Sequence, residues 1–169
     1  HDLGVHSLQA LSVVVDHGLV RRIELPGAEL RVGMLETIRE FAGELLTAGG
    51  DDEAATRRRH AAYFLTLAHE GEPHLTADDQ VQWLNRFEHE HANLQAAFQW
   101  TIDAGEPERG MAAAATMWRF WHQRNYLSVG RSWLERLLPF AHEQTASVAK
   151  AELAAGSIAY WQMDYEATE

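Results

Sequence analysis

Apolar positions along this chain recur mostly at helical spacing. Leu8, Leu11 and Val15 share one face of a short helix predicted over 7–17, with Ser7 as its N-cap and Gly18 as the residue that stops it. Residues 19–25 and 30–32 then flank Pro26-Gly27, and that pattern predicts a β-hairpin, the one strand signal in the sequence. From Met34 onward every segment reads as helix. Leu35, Ile38, Phe41, Ala42, Leu45 and Leu46 make an apolar stripe that Gly49-Gly50 ends. Asp51-Asp52-Glu53 places acid at the start of the next helix, where the macrodipole favours it. That helix runs to about Glu70, with Ala61, Phe64, Leu65 and Ala68 inward. A third segment begins near Thr76 and carries Val81, Trp83, Leu84 and Phe87. It continues, or bends, into Leu94, Ala97, Phe98 and Ile102.

Ala104-Gly105-Glu106-Pro107 is a clean break. Beyond it, residues 107–124 and 127–138 form a helix pair. Met111, Ala114, Met117, Trp118 and Trp121 lie on the first helix, and Trp133, Leu134, Leu137 and Leu138 on the second, which Pro139 closes. The linker Arg124-Asn125-Tyr126 is short, so the two pack antiparallel. Another pair begins near Thr145. An internal repeat supports this organisation: Tyr126 falls on Tyr165, Trp121 on Tyr160 and Ala114 on Leu153 at an offset of 39. Alanine-rich helix pairs with aromatic anchors, repeating at this length, suggest an α-solenoid.

Composition narrows the function classes. The chain has 169 residues, 14 basic and 25 acidic, for a net charge of −11. Sequence-independent nucleic-acid binding and anionic membrane surfaces both need cationic faces, so direct contact with nucleic acid or membrane is not expected. There is no cysteine, which removes disulfide and thiolate chemistry and makes a cytoplasmic location the expectation. No apolar run approaches the roughly 20 residues of a membrane span. The sequence opens on His1 rather than Met, and 165–169 continue a helical pattern, so it reads as a fragment of a longer protein.

Three stretches carry a family resemblance. Leu11-Ser12-Val13-Val14-Val15-Asp16-His17-Gly18-Leu19-Val20-Arg21-Arg22 resembles the "LSxLVDKSLVRR" segment in the winged-helix part of STAND-type regulatory ATPases. Arg31-Val32-Gly33-Met34-Leu35-Glu36-Thr37-Ile38-Arg39-Glu40-Phe41-Ala42 resembles the "RxxMLETIREYA" segment that follows it. Arg59-His60-Ala61-Ala62-Tyr63-Phe64, with Trp83-Leu84-Asn85-Arg86-Phe87-Glu88-His89-Glu90-His91-Ala92-Asn93-Leu94, resembles the start of the helical sensor region in the same proteins. The chain is similar to LuxR- or AfsR-type STAND ATPase transcriptional regulators over most of its length. The resemblance implies an upstream P-loop ATPase domain, a DNA-binding helix-turn-helix elsewhere in the parent protein, and TPR-like repeats after the winged helix. This stretch has no Gly-x-x-x-x-Gly-Lys-Ser/Thr, since Lys150 is its sole lysine. The family's nucleotide-contacting Met-His-Asp motif is matched here by Met34-Leu35-Glu36, and Leu35 has no donor for a phosphate.

Candidate chemistry is sparse. His69 and His74 miss the i, i+4 spacing of a helical zinc site, and His89 and His91 point roughly 200° apart around a helix. No metal is expected, nor any other cofactor. Arg57-Arg58-Arg59 after Asp51-Asp52-Glu53 reads as helix-end electrostatics, with Glu53 and Arg57 at i, i+4. No Gly-x-Ser-x-Gly or other nucleophile motif is present, so catalysis is not expected. The aromatics Trp118, Phe120, Trp121, Tyr126, Trp133, Tyr160 and Trp161 read mainly as core between stacked helices. Some of them can instead line a groove for a partner protein or a small effector. The candidate groove residues are Trp118, Arg119, His122, Gln123, Arg124 and Trp161, with Arg119 and Arg124 placed to clamp a carboxylate.

The expectation is therefore a mainly α chain. Residues 1–50 are the end of a winged-helix domain, with one hairpin and the following helix. Residues 51–169 form a TPR-like α-solenoid of antiparallel helix pairs. The expected role is the non-catalytic sensor and protein-interaction region of a larger signal-responsive transcription regulator. The alternatives are a free-standing TPR-like adaptor for a peptide or protein, and an all-α enzyme using the aromatic pocket.

Overall fold

The computed structural model describes residues 5–24, 30–49, 51–141 and 143–163. Over these residues the chain is mainly α, with eight α-helices, two short 3-10 turns and one antiparallel hairpin. It divides into two compact units, residues 1–54 and 55–169.

In the first unit, α1 spans Val5–Asp16. It starts earlier than the sequence pattern indicates, so Ser7 lies inside the helix rather than at its cap. Gly18 adopts a left-handed φ of 71°. Its N–H donates to the Val15 carbonyl at 2.9 Å, and Leu19 N–H donates to the Val14 carbonyl at 3.0 Å, a Schellman closure. Strands β1 (Val20–Glu24) and β2 (Leu30–Met34) pair antiparallel, with Val20 opposite Met34 and Glu24 opposite Leu30. The expected Pro26-Gly27 turn lies outside the described residues. Helix α2 spans Glu36–Ala48, yet none of its residues is buried, and Phe41 and Leu45 are each 59% exposed. Helical spacing fixes an element and its apolar face; it does not fix what covers that face.

Helix α3 (Asp51–Gly71) leads into the second unit and buries Ala61, Phe64, Leu65 and Ala68 as the pattern requires. A 3-10 turn over Pro73–Thr76 buries Leu75 and leads to α4. Helix α4 runs unbroken over Gln80–Asp103, which settles the open choice between a bend and a continuation. Gly105, at φ 71°, ends it with a second Schellman closure, Glu106 N–H to Thr101 carbonyl at 2.8 Å. The expected single helix over 107–124 is two helices, α5 (Pro107–Thr116) and α6 (Trp118–Gln123). At the junction Met117 N–H bonds the Ala114 carbonyl, three residues back, at 3.0 Å. The Thr116 hydroxyl turns back to the Ala113 carbonyl at 2.7 Å and also reaches the Ala68 carbonyl of α3 at 3.0 Å. Back-bonding of this kind loosens the regular ladder and bends a helix.

Helix α7 spans Leu127–Leu137 and yields to a 3-10 turn, Leu138–Phe140, where Pro139 denies the ladder its donor. Helix α8 spans Ala146–Trp161, and the Thr145 side chain caps it by accepting from Val148 N–H at 3.3 Å.

A regular ladder joins α4 to the α6–α7 turn and α7. Arg124 donates to Asn85, Tyr126 to Glu88, Trp133 to Gln95 and Arg136 to Gln99, at sequence separations of 39, 38, 38 and 37. Both members of each pair advance together, so α4 and α7 run parallel, with the α5–α6 arm returning between them. The repeat also shows at the turns. Asn125 and Met163 hold φ of 61° and 60° at the ends of α6 and α8. They stand 38 residues apart, so the turns repeat one residue short of the sequence offset of 39. The identity of Tyr126 with Tyr165 sets the sequence match, whereas the left-handed closing residue sets the structural one.

The core lies where α5 and α6 meet α4, α7 and α8. Two glycines make the approach possible. A Cβ on Gly130 would come within 2.3 Å of the Trp121 ring, and one on Gly110 would collide with Thr101. Trp121, Phe120, Met117, Met111 and Leu134 are fully buried around them. Overpacking of such a site costs about 1–3 kcal/mol. Gly130→Ala is therefore expected to lower stability by that amount, read as a fall in the urea midpoint. An unchanged midpoint would contradict the close approach of α7 to Trp121.

Candidate functional site

An open groove of about 540 Å3 lies between α6 and α8. Helix α6 contributes Trp118, its first residue. Helix α8 contributes Glu152, Leu153, Gly156, Ser157, Tyr160 and Trp161. Their spacing by one, three and four residues places them on one side of α8 over more than two turns. The opposite side, with Val148, Ala151, Ala154 and Ile158, is buried in the core. Burial of one stripe thus aims the other into solvent, where Leu153 is 72% exposed, Tyr160 60% and Trp161 52%.

Stacking fixes the aromatic walls. The Arg119 guanidinium lies 4.5 Å from the Trp118 ring centroid. His122 packs at a tilt of 40° against Trp161 with centroids 4.3 Å apart, and Tyr160 meets Trp161 edge-on at 5.9 Å. Gly156 leaves the floor open, since an added Cβ would touch nothing. Ser157 Oγ is spent on the Leu153 carbonyl at 2.8 Å. Glu152, the one carboxylate on the rim, accepts from Gln144 at 3.3 Å. The site is therefore an apolar, aromatic surface with a thin polar edge, suited to burying a side chain or an apolar ring rather than to acid–base chemistry.

The sequence-derived candidates divide accordingly. Trp118 and Trp161 line the groove, and Arg119 and His122 brace their rings. Gln123 is exposed at the last position of α6. Arg124 faces elsewhere: it donates to Asn85 on α4, and its Nε lies 3.8 Å from Glu88. The expected Arg119–Arg124 clamp is therefore not formed, because the Schellman closure at Asn125 turns Arg124 onto α4. Leu153, Gly156 and Ser157 escaped sequence reasoning.

Electrostatics concentrate away from the groove. Tyr126 donates to Glu88, and that bond raises its pKa. Burial lowers the pKa of His91, whose ring packs on Tyr126 with centroids 4.6 Å apart. Burial also lowers that of His69, helped by the charge of Lys150. The hydrogen bond from His74 lowers that of Asp79. Among the described residues no group of three or more His, Asp or Glu is placed to hold a metal ion, and no helix is long and apolar enough to cross a membrane.

The two depressed histidines set a pH dependence. A folded pKa below the ordinary value of 6.5 makes protonation oppose folding. The stabilisation is present above pH 6.5 and is lost as pH falls through the lowered values. The urea midpoint is expected to drop between about pH 7.5 and pH 5.5, and to drop less in His91→Gln. A slope identical in the variant would remove His91 from this account.

No family model matches the chain, and no solved structure matches it. Among curated proteins, it is 34% identical over 132 residues to proteins named "Putative HTH-type transcriptional regulator" from Mycobacterium bovis and from Mycobacterium tuberculosis. The match covers 78% of this chain but only 14% of the length of each relative. Most of this chain is thus similar to one stretch of much longer proteins that carry the name of transcription regulators.

Proposed function

We propose that this chain is the non-catalytic sensor and protein-interaction region of a larger, signal-responsive bacterial transcription regulator of the STAND ATPase type. The observation that carries the reading is an open aromatic groove on repeating helix pairs, in a chain similar to named regulators. On this reading residues 1–50 close a winged-helix domain, and α3 to α8 begin a TPR-like solenoid. The hairpin β1–β2 is the wing. The ladder at 37–39 residues is the stacking of successive helix pairs.

The mechanism follows from the groove's position. A protein segment or small effector buries apolar surface against Trp118, Leu153, Tyr160 and Trp161. Binding favours whichever arrangement of the parent protein leaves that surface open to the ligand. It shifts that equilibrium only by its difference in affinity between arrangements. An ATPase domain upstream in the same polypeptide would feel the shift. This stretch itself holds no cofactor and contacts neither DNA nor membrane, and the parent protein works in the cytoplasm.

Reading the coding frame outward from codons 1 and 169 tests this. The expected result is a Gly-x-x-x-x-Gly-Lys-Ser/Thr segment upstream and further helix-pair sequence downstream. A start codon immediately before His1 and a stop immediately after Glu169 would overturn the reading and favour a free-standing adaptor.

A further inference from the structure

The turn between α6 and α7 is held to α4 largely through one carboxylate. Glu88 accepts from the Tyr126 hydroxyl on Oε1, and its Oε2 lies 3.8 Å from Arg124 Nε. His91 follows Glu88 by three residues on α4, which sets both side chains on one face of the helix. Its imidazole packs on the Tyr126 ring at 4.6 Å and on Phe120 of α6 at 5.3 Å. His91 Nε2 is buried and has no hydrogen-bond partner among the described residues. A neutral ring bears that at modest cost. An imidazolium donates from both nitrogens, and a buried cationic donor without an acceptor is far costlier. A proton on His91 therefore demands an acceptor. The charged and titratable groups around the ring are Glu88 of its own helix and Tyr126 and Arg124 of the turn, while α6 presents the uncharged Phe120. Glu90 is turned to Asn93, and His60 of α3 meets that same Asn93. Glu88 is thus the carboxylate in reach.

We propose that Glu88, His91 and Tyr126 form a proton-operated latch on the α6–α7 turn: a proton on His91 draws the Glu88 carboxylate to the imidazolium and frees Tyr126 from α4. The proton comes from solvent, and the carboxylate stays ionised in both positions. One acceptor serves two rival donors. With His91 neutral, Tyr126 holds Glu88. With His91 charged, the imidazolium pairs a full charge with the carboxylate where Tyr126 offers a dipole. Two of the four rungs between α4 and the next helix pair, Arg124 with Asn85 and Tyr126 with Glu88, lie at this turn. The other two, Trp133 with Gln95 and Arg136 with Gln99, lie farther along α7. The latch therefore loosens the turn and leaves the far end of the ladder in place. Burial lowers the His91 pKa, so the latch is closed at neutral pH and above, and it opens as pH falls through a value below 6.5. It needs no ligand in the groove, so it stands apart from the regulator reading.

Nuclear magnetic resonance of the 169-residue chain from about pH 7.5 to pH 5 tests the latch. The His91 ring signal is identified by its loss in His91→Gln. The Tyr126 amide reports the turn, since it donates to the Trp121 carbonyl at 2.7 Å. As His91 takes its proton, hydrogen-exchange protection of the Tyr126 amide is expected to fall about tenfold relative to that of Leu134, and to stay level in His91→Gln. Tyr126→Phe keeps the ring packing and releases Glu88. It is expected to raise the His91 midpoint by about 0.5–1 pH unit, the net strength of one hydrogen bond. If Tyr126 does no more than bury His91, the more apolar phenylalanine leaves that midpoint in place or lowers it. A midpoint unchanged or lowered in Tyr126→Phe would overturn the latch. So would a Tyr126 amide whose protection relative to Leu134 is constant through the His91 titration.

Discussion

The second unit depends on the approach of α7 to the indole of Trp121, which Gly130 permits. Trp121 is fully buried, with Phe98 at a centroid distance of 6.4 Å and Ile158 of α8 next to the same glycine. Its Nε1 has no hydrogen-bond partner among the described residues. Leaving that donor dry costs about 1–3 kcal/mol. Burying an aromatic side chain of ~200 Å2 at ~25 cal/mol per Å2 returns about 5 kcal/mol. Apolar burial wins, so the ring stays in, and α4, α7 and α8 are all brought to it.

Around this anchor the polar ladder plays a different part. Arg124 with Asn85 and Arg136 with Gln99 are exposed pairs, and exposed pairs contribute well under ~1 kcal/mol each. Their spacing matters more than their strength. Four contacts at nearly constant sequence separation hold α4 and α7 in one parallel register. That register carries Trp118 to the edge of α8 and opens the groove. Stability thus comes from the apolar centre, and the position of the site from the polar edge.

Much of this was legible in the sequence. Helices α3, α4, α7 and α8, the hairpin strands and the closing role of Gly18 follow from periodicity and turn chemistry alone. The break at Met117 did not, because it depends on the Thr116 hydroxyl turning back within its own helix while also reaching the Ala68 carbonyl, 48 residues away in sequence. Exposure of α2 was equally hidden, since its stripe of Ile38, Phe41 and Leu45 has the same spacing as a buried one. At the groove, aromatic type picked out Trp118 and Trp161, and their neighbours Arg119 and His122 came with them. Arg124 was misplaced because sequence position alone does not show the left-handed turn at Asn125. Leu153 and Gly156 were missed because a leucine and a glycine in an alanine-rich helix look like core until the register of the burial is known.

The central claim is that the Trp121 anchor ties α4, α7 and α8, with α5 packed against all three, into one cooperative unit. Native-state amide hydrogen exchange tests it most directly. The account predicts that interior amides of all four helices, such as those of Leu94, Ala114, Leu134 and Ala154, exchange through a single opening with one common free energy. Exchange of α8 at the level of a fraying end, with α4 and α5 still protected, would contradict it and detach the groove from the fold that is held to build it.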